Sequence, residues 1–168
     1  DDELKSRWTY YLDESNVVKF QTAEIQAKNK LLKPEEIKVM DCCMGSGHIL
    51  VYAFDVLLQI YEAYGYNRKE AVKSIIENNL YGLDIDERAT QLAYFAVMMK
   101  ARQYDRRIFK EAEKGLHLNI YEIKDGAILT DEIVDFIANG DATIHSDLYS
   151  IRHDLKDAKL LGSIIELQ

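Results

Sequence analysis

The stretch Ile37–Leu57, IKVMDCCMGSGHILVYAFDVL, constrains this chain more than any other. A short apolar run, Ile37–Asp41, ends in an acid. Two glycines one residue apart follow, and a long apolar pattern begins at His48. Ile49, Leu50, Ala53, Phe54, Leu57, Leu58 and Tyr61 recur at helical spacing and form one wide face, as in a helix that covers a sheet. A buried strand, a glycine turn and a covering helix make the joint at which open α/β sheets bind ligands, beyond the carboxyl ends of their strands.

Similar units follow. Asn67 caps a helix through NRKEAVKSIIEN, and NLYGLDID supplies a second strand over 80–85. Asp86 caps a helix from Glu87 to Tyr104, with Leu92, Phe95, Ala96 and Met99 turned inward and Met98 and Tyr94 also assigned to the core. GLHLNIYEI reads as a third strand. TDEIVDFIANG reads as a helix capped at Thr130 or Asp131 and stopped at Asn139-Gly140. Upstream, residues 5–32 suit one or two helices broken near DESN, and Lys33-Pro34-Glu35-Glu36 a turn. Residues 144–168 are ambiguous, with helix compatible toward the end. Strands separated by helices imply crossovers and a parallel sheet. The expected class is α/β, a partial Rossmann-like, doubly wound parallel sheet. It divides into a helical lead-in (1–36), a ligand-binding half (37–125) and a helical C-terminal segment of the same domain (126–168).

Composition removes several functions. A net charge of −8 gives no electrostatic footprint for nucleic acid or an anionic membrane, so a DNA-gripping surface would lie elsewhere. No run is long enough to span a membrane. Adjacent Cys42 and Cys43 build no disulfide framework, which suits a reducing, cytoplasmic setting. They point to opposite sides of an extended chain and, with His48, lack a second ligand pair, so no metal is expected and Cys43 is assigned to the core. The basic run Lys100, Arg102, Arg106, Arg107 and Lys110 reads as a solvated face.

At the first turn, Gly45 and Gly47 allow positive φ and remove Cβ atoms, so a ligand can approach the backbone. A dinucleotide loop would place a third glycine where Leu50 stands. The preceding carboxylate, Asp41, is a poor neighbour for a pyrophosphate and a good one for a ligand bearing ammonium and sulfonium charge, such as S-adenosyl-L-methionine. Asp84, ending the second strand, is placed to accept both hydroxyls of a ribose.

On these residues the chain resembles class I DNA adenine-N6 methyltransferases. KVMDCCMGSGHILVYAFDVL is similar to their first motif, and NNLYGLDIDERATQLAYFAVMMKA to their second with its helix. The likeness covers about 37–109 and is nearest to the large adenine-specific enzymes of phage-exclusion (BREX/Pgl-type) and restriction–modification systems. One departure is Cys42, where the family usually has proline. The resemblance implies that Asp41, Met44, Gly45, Ser46, Gly47 and His48 cradle the methionine end of the cofactor. It implies further that Asp84 holds the ribose, Ile85 packs on the adenine and, by position alone, Asn119 meets the adenine edge.

The family's chemistry also needs an Asn/Asp-Pro-Pro-Tyr/Phe loop after a fourth strand, to stack a flipped adenine. Pro34 is the single proline, so the chain is expected to be an internal piece ending before that strand, without catalytic residues of its own. Double-stranded DNA would then be reached through other regions of the parent. The first strand's outer edge would be bare unless residues 144–168 or a second copy cover it. Two other functions stay open on the residues: a methyltransferase for RNA, protein or small molecules, and a non-catalytic Rossmann-like interaction module.

Overall fold

A computed structural model of the chain describes residues 2–11 and 32–157. Most of the lead-in read as helical over 5–32, namely 12–31, and the chain beyond 157 lie outside the described residues. Helix α1 is short, Asp2–Lys5. Strands β1 (Val39–Asp41), β2 (Leu80–Asp84) and β3 (Asn119–Glu122) form one parallel sheet in the order β1-β2-β3. Helices α2 (His48–Ala63) and α3 (Arg68–Ser74) join β1 to β2. Helices α4 (Glu87–Tyr104) and α5 (Ile108–Glu113) join β2 to β3. Helices α6 (Asp131–Ala138) and α7 (Ala142–Asp154) follow and pack on each other, and α7 packs on a 3-10 turn at Gly126–Ile128. This is the expected partial Rossmann-like architecture.

The caps fall where residue type places them. The side chains of Asn67, Asp86 and Thr130 accept from the amides of Lys69, Arg88 and Ile133, as N-caps do. Helix α3 departs from expectation. It is α-helical only to Ser74 and continues as one π turn, Ile75–Asn79. The wider turn puts Asn79 wholly inside, where its amide donates to the carbonyls of Pro34 and Ile37 and accepts from the Tyr61 hydroxyl at 2.9 Å. Those bonds fix the chain entering β1, which sets where Asp41 ends.

One face of the sheet is covered by α2 and α4 over a core that includes Leu50, Phe54, Tyr61, Leu80, Val97 and Ile120. The inward face of α4 corrects the sequence reading. Ala93, Val97, Met98 and Ala101 are buried, whereas Leu92, Phe95 and Met99 are 53%, 60% and 37% exposed and Tyr94 also faces out. Small residues let α4 lie against the glycine turn, and larger ones would hold it off. On the opposite face of the sheet Met40 and Tyr121 are 56% and 46% exposed. Among the described residues no strand pairs with the outer edge of β1.

The α2–α4 contact is closed by a polar knot. The Tyr104 ring stacks on Phe54, its hydroxyl donates to Asp55 Oδ1 at 2.8 Å, and Lys100 pairs with Asp55 Oδ2 at 2.6 Å. Burial, then the bond to Asp55 and its charge, pushes the Tyr104 hydroxyl from 10.0 up to about 12. The folded state therefore holds this proton more tightly than the unfolded chain. Its contribution is complete below the ordinary tyrosine value and is lost as pH rises through about 12. Chemical denaturation across that window is expected to show falling stability, with a shallower fall in Tyr104→Phe. Part of the slope should remain, because Tyr66 shifts the same way through its bond to Glu35.

Candidate cofactor site

Asp41 and Asp84 stand at neighbouring strand ends. The register sets Asp41 opposite Gly82, so by strand alternation Asp41, Gly82 and Asp84 share the face toward α2. The chain after Asp41 folds back over β2. The Cys43 amide donates to Asp41 Oδ1 at 3.1 Å, Met44 to the Leu83 carbonyl at 3.1 Å, and Gly45 to Asp84 Oδ2 at 2.8 Å. Asp84 Oδ1 accepts from the Asp86 amide at 2.9 Å. One carboxylate thus ties the glycine turn to the loop that opens α4. A carboxylate offers about four acceptor sites; two serve the backbone and two remain.

The two glycines do different work. Both have positive φ, +52° at Gly45 and +81° at Gly47. A Cβ on Gly45 would have nothing within 4 Å, so this backbone faces open space. A Cβ on Gly47 would lie 3.0 Å from Ala93 Cβ and 3.1 Å from Ala93 Cα, so Gly47 lets α4 approach α2. Open space therefore lies beside Gly45, while the corresponding space at Gly47 is taken by Ala93.

Helix α2 begins at His48 with no side-chain cap on its first amides and no acid in its first turn. Its positive end and free N–H groups suit an anionic group beside the turn. Ile85 follows Asp84 and is 48% exposed, available as an apolar floor.

The remaining expected residues are placed differently. Met44 is 4% exposed and lies under the turn; a Cβ on Gly82 would sit 2.4 Å from its sulfur. Ser46 and His48 line a groove on the outer flank of α2 and α4 with Val51, Leu92, Ala96 and Met99. Asn119 opens β3 opposite Tyr81, three residues before Asp84, and its amide donates to the Glu77 carbonyl at 2.9 Å. It stands at the wrong end of the strand for a ligand at Asp84. The chain beside Asp84 is the turn after β3, where the Ile123 amide donates to the Asp84 carbonyl at 2.8 Å. The sequence pattern extends the third strand from Gly115 to Ile123, which obscures that only Glu122 and the residues after it lie at its carboxyl end. Asn119→Ala is accordingly expected to leave cofactor affinity within about twofold of the parent chain in calorimetric titration, since it removes no group at that end.

Cys43 is exposed, as is Cys42. The turn reverses the chain immediately after Asp41, so neither thiol enters the core as expected for Cys43.

The chain is similar to known proteins over most of its length. The MmeI DNA-methyltransferase domain family matches residues 18–134. The adenine-specific methyltransferase PglX of Lacticaseibacillus casei (strain Zhang) is 42% identical over 163 residues, covering 96% of this chain and 13% of PglX. The adenine-specific methyltransferase BrxX of Escherichia coli O9:H4 (strain HS) is 42% identical over 138 residues, covering 79% of this chain and 11% of BrxX. The chain therefore spans about an eighth of the length of these relatives.

Proposed function

Because this chain belongs to the MmeI DNA-methyltransferase domain family, we propose that its glycine turn is the S-adenosylmethionine cradle of a DNA adenine-N6 methyltransferase of the phage-defence or restriction–modification kind. The observation that carries this reading is one arrangement. Two carboxylates, Asp41 and Asp84, stand at adjacent strand ends, with the unfilled space at Gly45 and the bare amides of α2 between them.

The residues fit the group. Asp41 accepts from an ammonium, with one oxygen held by Cys43 N–H. The N-terminus of α2 takes the methionine carboxylate. Asp84 offers its two remaining acceptor sites to the ribose hydroxyls, and Ile85 gives an apolar surface to the adenine. The turn after β3 stands where that ring's edge would lie. When bound, the cofactor supplies a sulfonium methyl to an amino nitrogen. This chain's own part is to bind and orient the donor; target adenine and duplex DNA are assigned to regions of the parent outside it.

Two tests bear on the reading. The parent enzyme should transfer label from methyl-labelled cofactor to adenine in duplex DNA, and transfer to RNA or protein alone would redirect the substrate class. For the isolated chain we assign the edge of β1 that no described strand covers to a second copy, so sedimentation should show a dimer, and a monomer at all concentrations contradicts that assignment.

A further inference from the structure

Cys42 and Cys43 are both exposed free thiols, and they occupy the only two positions between Asp41 and the point where the loop anchors on β2. From Met44 onward the loop is held by Leu83 and Asp84; before it, the Cys43 amide holds Asp41. Any change in the Cys42–Cys43 peptide therefore falls on Asp41.

We propose that Cys42 and Cys43 are an oxidation site that, when bridged, withdraws Asp41 and closes the cofactor turn; the consequence for binding rests on the proposed cofactor role of that turn. The oxidant is hydrogen peroxide. One thiolate attacks the peroxide oxygen, forming an S–O bond and breaking O–O, which gives a sulfenic acid and water. The neighbouring thiol then displaces the sulfenic oxygen as a second water and forms the S–S bond. The two thiols lose two electrons and two protons in all, and the peroxide takes them up.

Consecutive Cα atoms lie about 3.8 Å apart, short of the roughly 4.4–6.8 Å that a relaxed disulfide spans. The ring closes only by turning the peptide between the two cysteines. That peptide carries the N–H which holds Asp41 Oδ1 at 3.1 Å. Bridging thus breaks this bond and reorients the carboxylate. The same strain makes the bridge easily reduced, so the site resets with thiol.

Titration of the chain with S-adenosylmethionine, reduced, after hydrogen peroxide and again after dithiothreitol, tests this together with intact mass. The expected result is loss of two hydrogens on oxidation, affinity weaker by about tenfold or more, and recovery of both on reduction. Cys42→Ser should bind like the parent when reduced, and it should not lose two hydrogens. A bridged chain that binds as tightly as the reduced one overturns the proposal, and so does peroxide that yields only oxygen adducts. If the reduced chain binds no cofactor, the cofactor role has failed separately. The bridge is then scored by mass and by hydrogen exchange at the Cys43 amide, which should quicken on bridging; an unchanged rate overturns the proposal.

Discussion

Gly47→Ala is expected to lose a large part of its thermal stability, while Gly45→Ala loses less stability and loses cofactor. Both substitutions put a side chain at positive φ, which costs about 1–2 kcal/mol. At Gly47 the new Cβ also meets Ala93 at 3.0 Å, and the Ala93 backbone cannot yield without moving α4. Overpacking of that kind adds about 1–3 kcal/mol. The sum, on the order of 3 kcal/mol, corresponds to a drop of roughly 6–12 °C in melting temperature for a unit of this size. At Gly45 no atom lies within 4 Å of the added methyl, so only the conformational cost falls on stability. The methyl instead fills the space a ligand would use. Thermal denaturation and cofactor titration of the two variants separate these roles. Equal losses of stability would show that the division between a packing glycine and a ligand-facing glycine is wrong.

Asp84→Ala should weaken cofactor binding and loosen the turn together. The ribose hydroxyls lose a charged acceptor, worth on the order of 1.5–3 kcal/mol, roughly ten- to a hundredfold in Kd. The Gly45 and Asp86 amides lose their partner as well, so the melting temperature should fall without any ligand. Asp84→Asn separates the effects. Its carbonyl oxygen can still take one backbone amide, so stability should return in part, while the neutral group remains a weaker acceptor for the hydroxyls. Binding that survives Asp84→Ala at full strength would place the ribose elsewhere.

Residues that act through local backbone rules are legible in the sequence. Asp41 and Asp84 end strands, Asn67, Asp86 and Thr130 cap helices, and Gly45 and Gly47 turn the chain, each by a rule spanning a few residues. Features that depend on packing are not. Helix α4 carries two apolar stripes, one of large residues and one of small. Hydrophobicity favours Leu92, Phe95 and Met99, and only the close approach at Gly47 selects Ala93, Val97 and Ala101. Asn119 falls at the wrong end of its strand because an apolar run does not show where pairing begins, and β3 starts four residues into it. Helix α5 has only six residues, and α7 has no buried residue, so neither shows a strong apolar period. A small apolar residue beside a buried strand usually joins the core, and the reversal after Asp41 takes Cys43 out of it.

The central claim is that this chain holds a methyl donor at the β1–β2 strand ends. Calorimetric titration of the reduced, folded chain with S-adenosylmethionine tests it most directly. Saturable binding at one site per chain, weakened roughly ten- to a hundredfold by Asp84→Ala and untouched by Asn119→Ala, is the expected result. A folded chain that gives no binding heat at any temperature and no protection against thermal unfolding by the cofactor contradicts it.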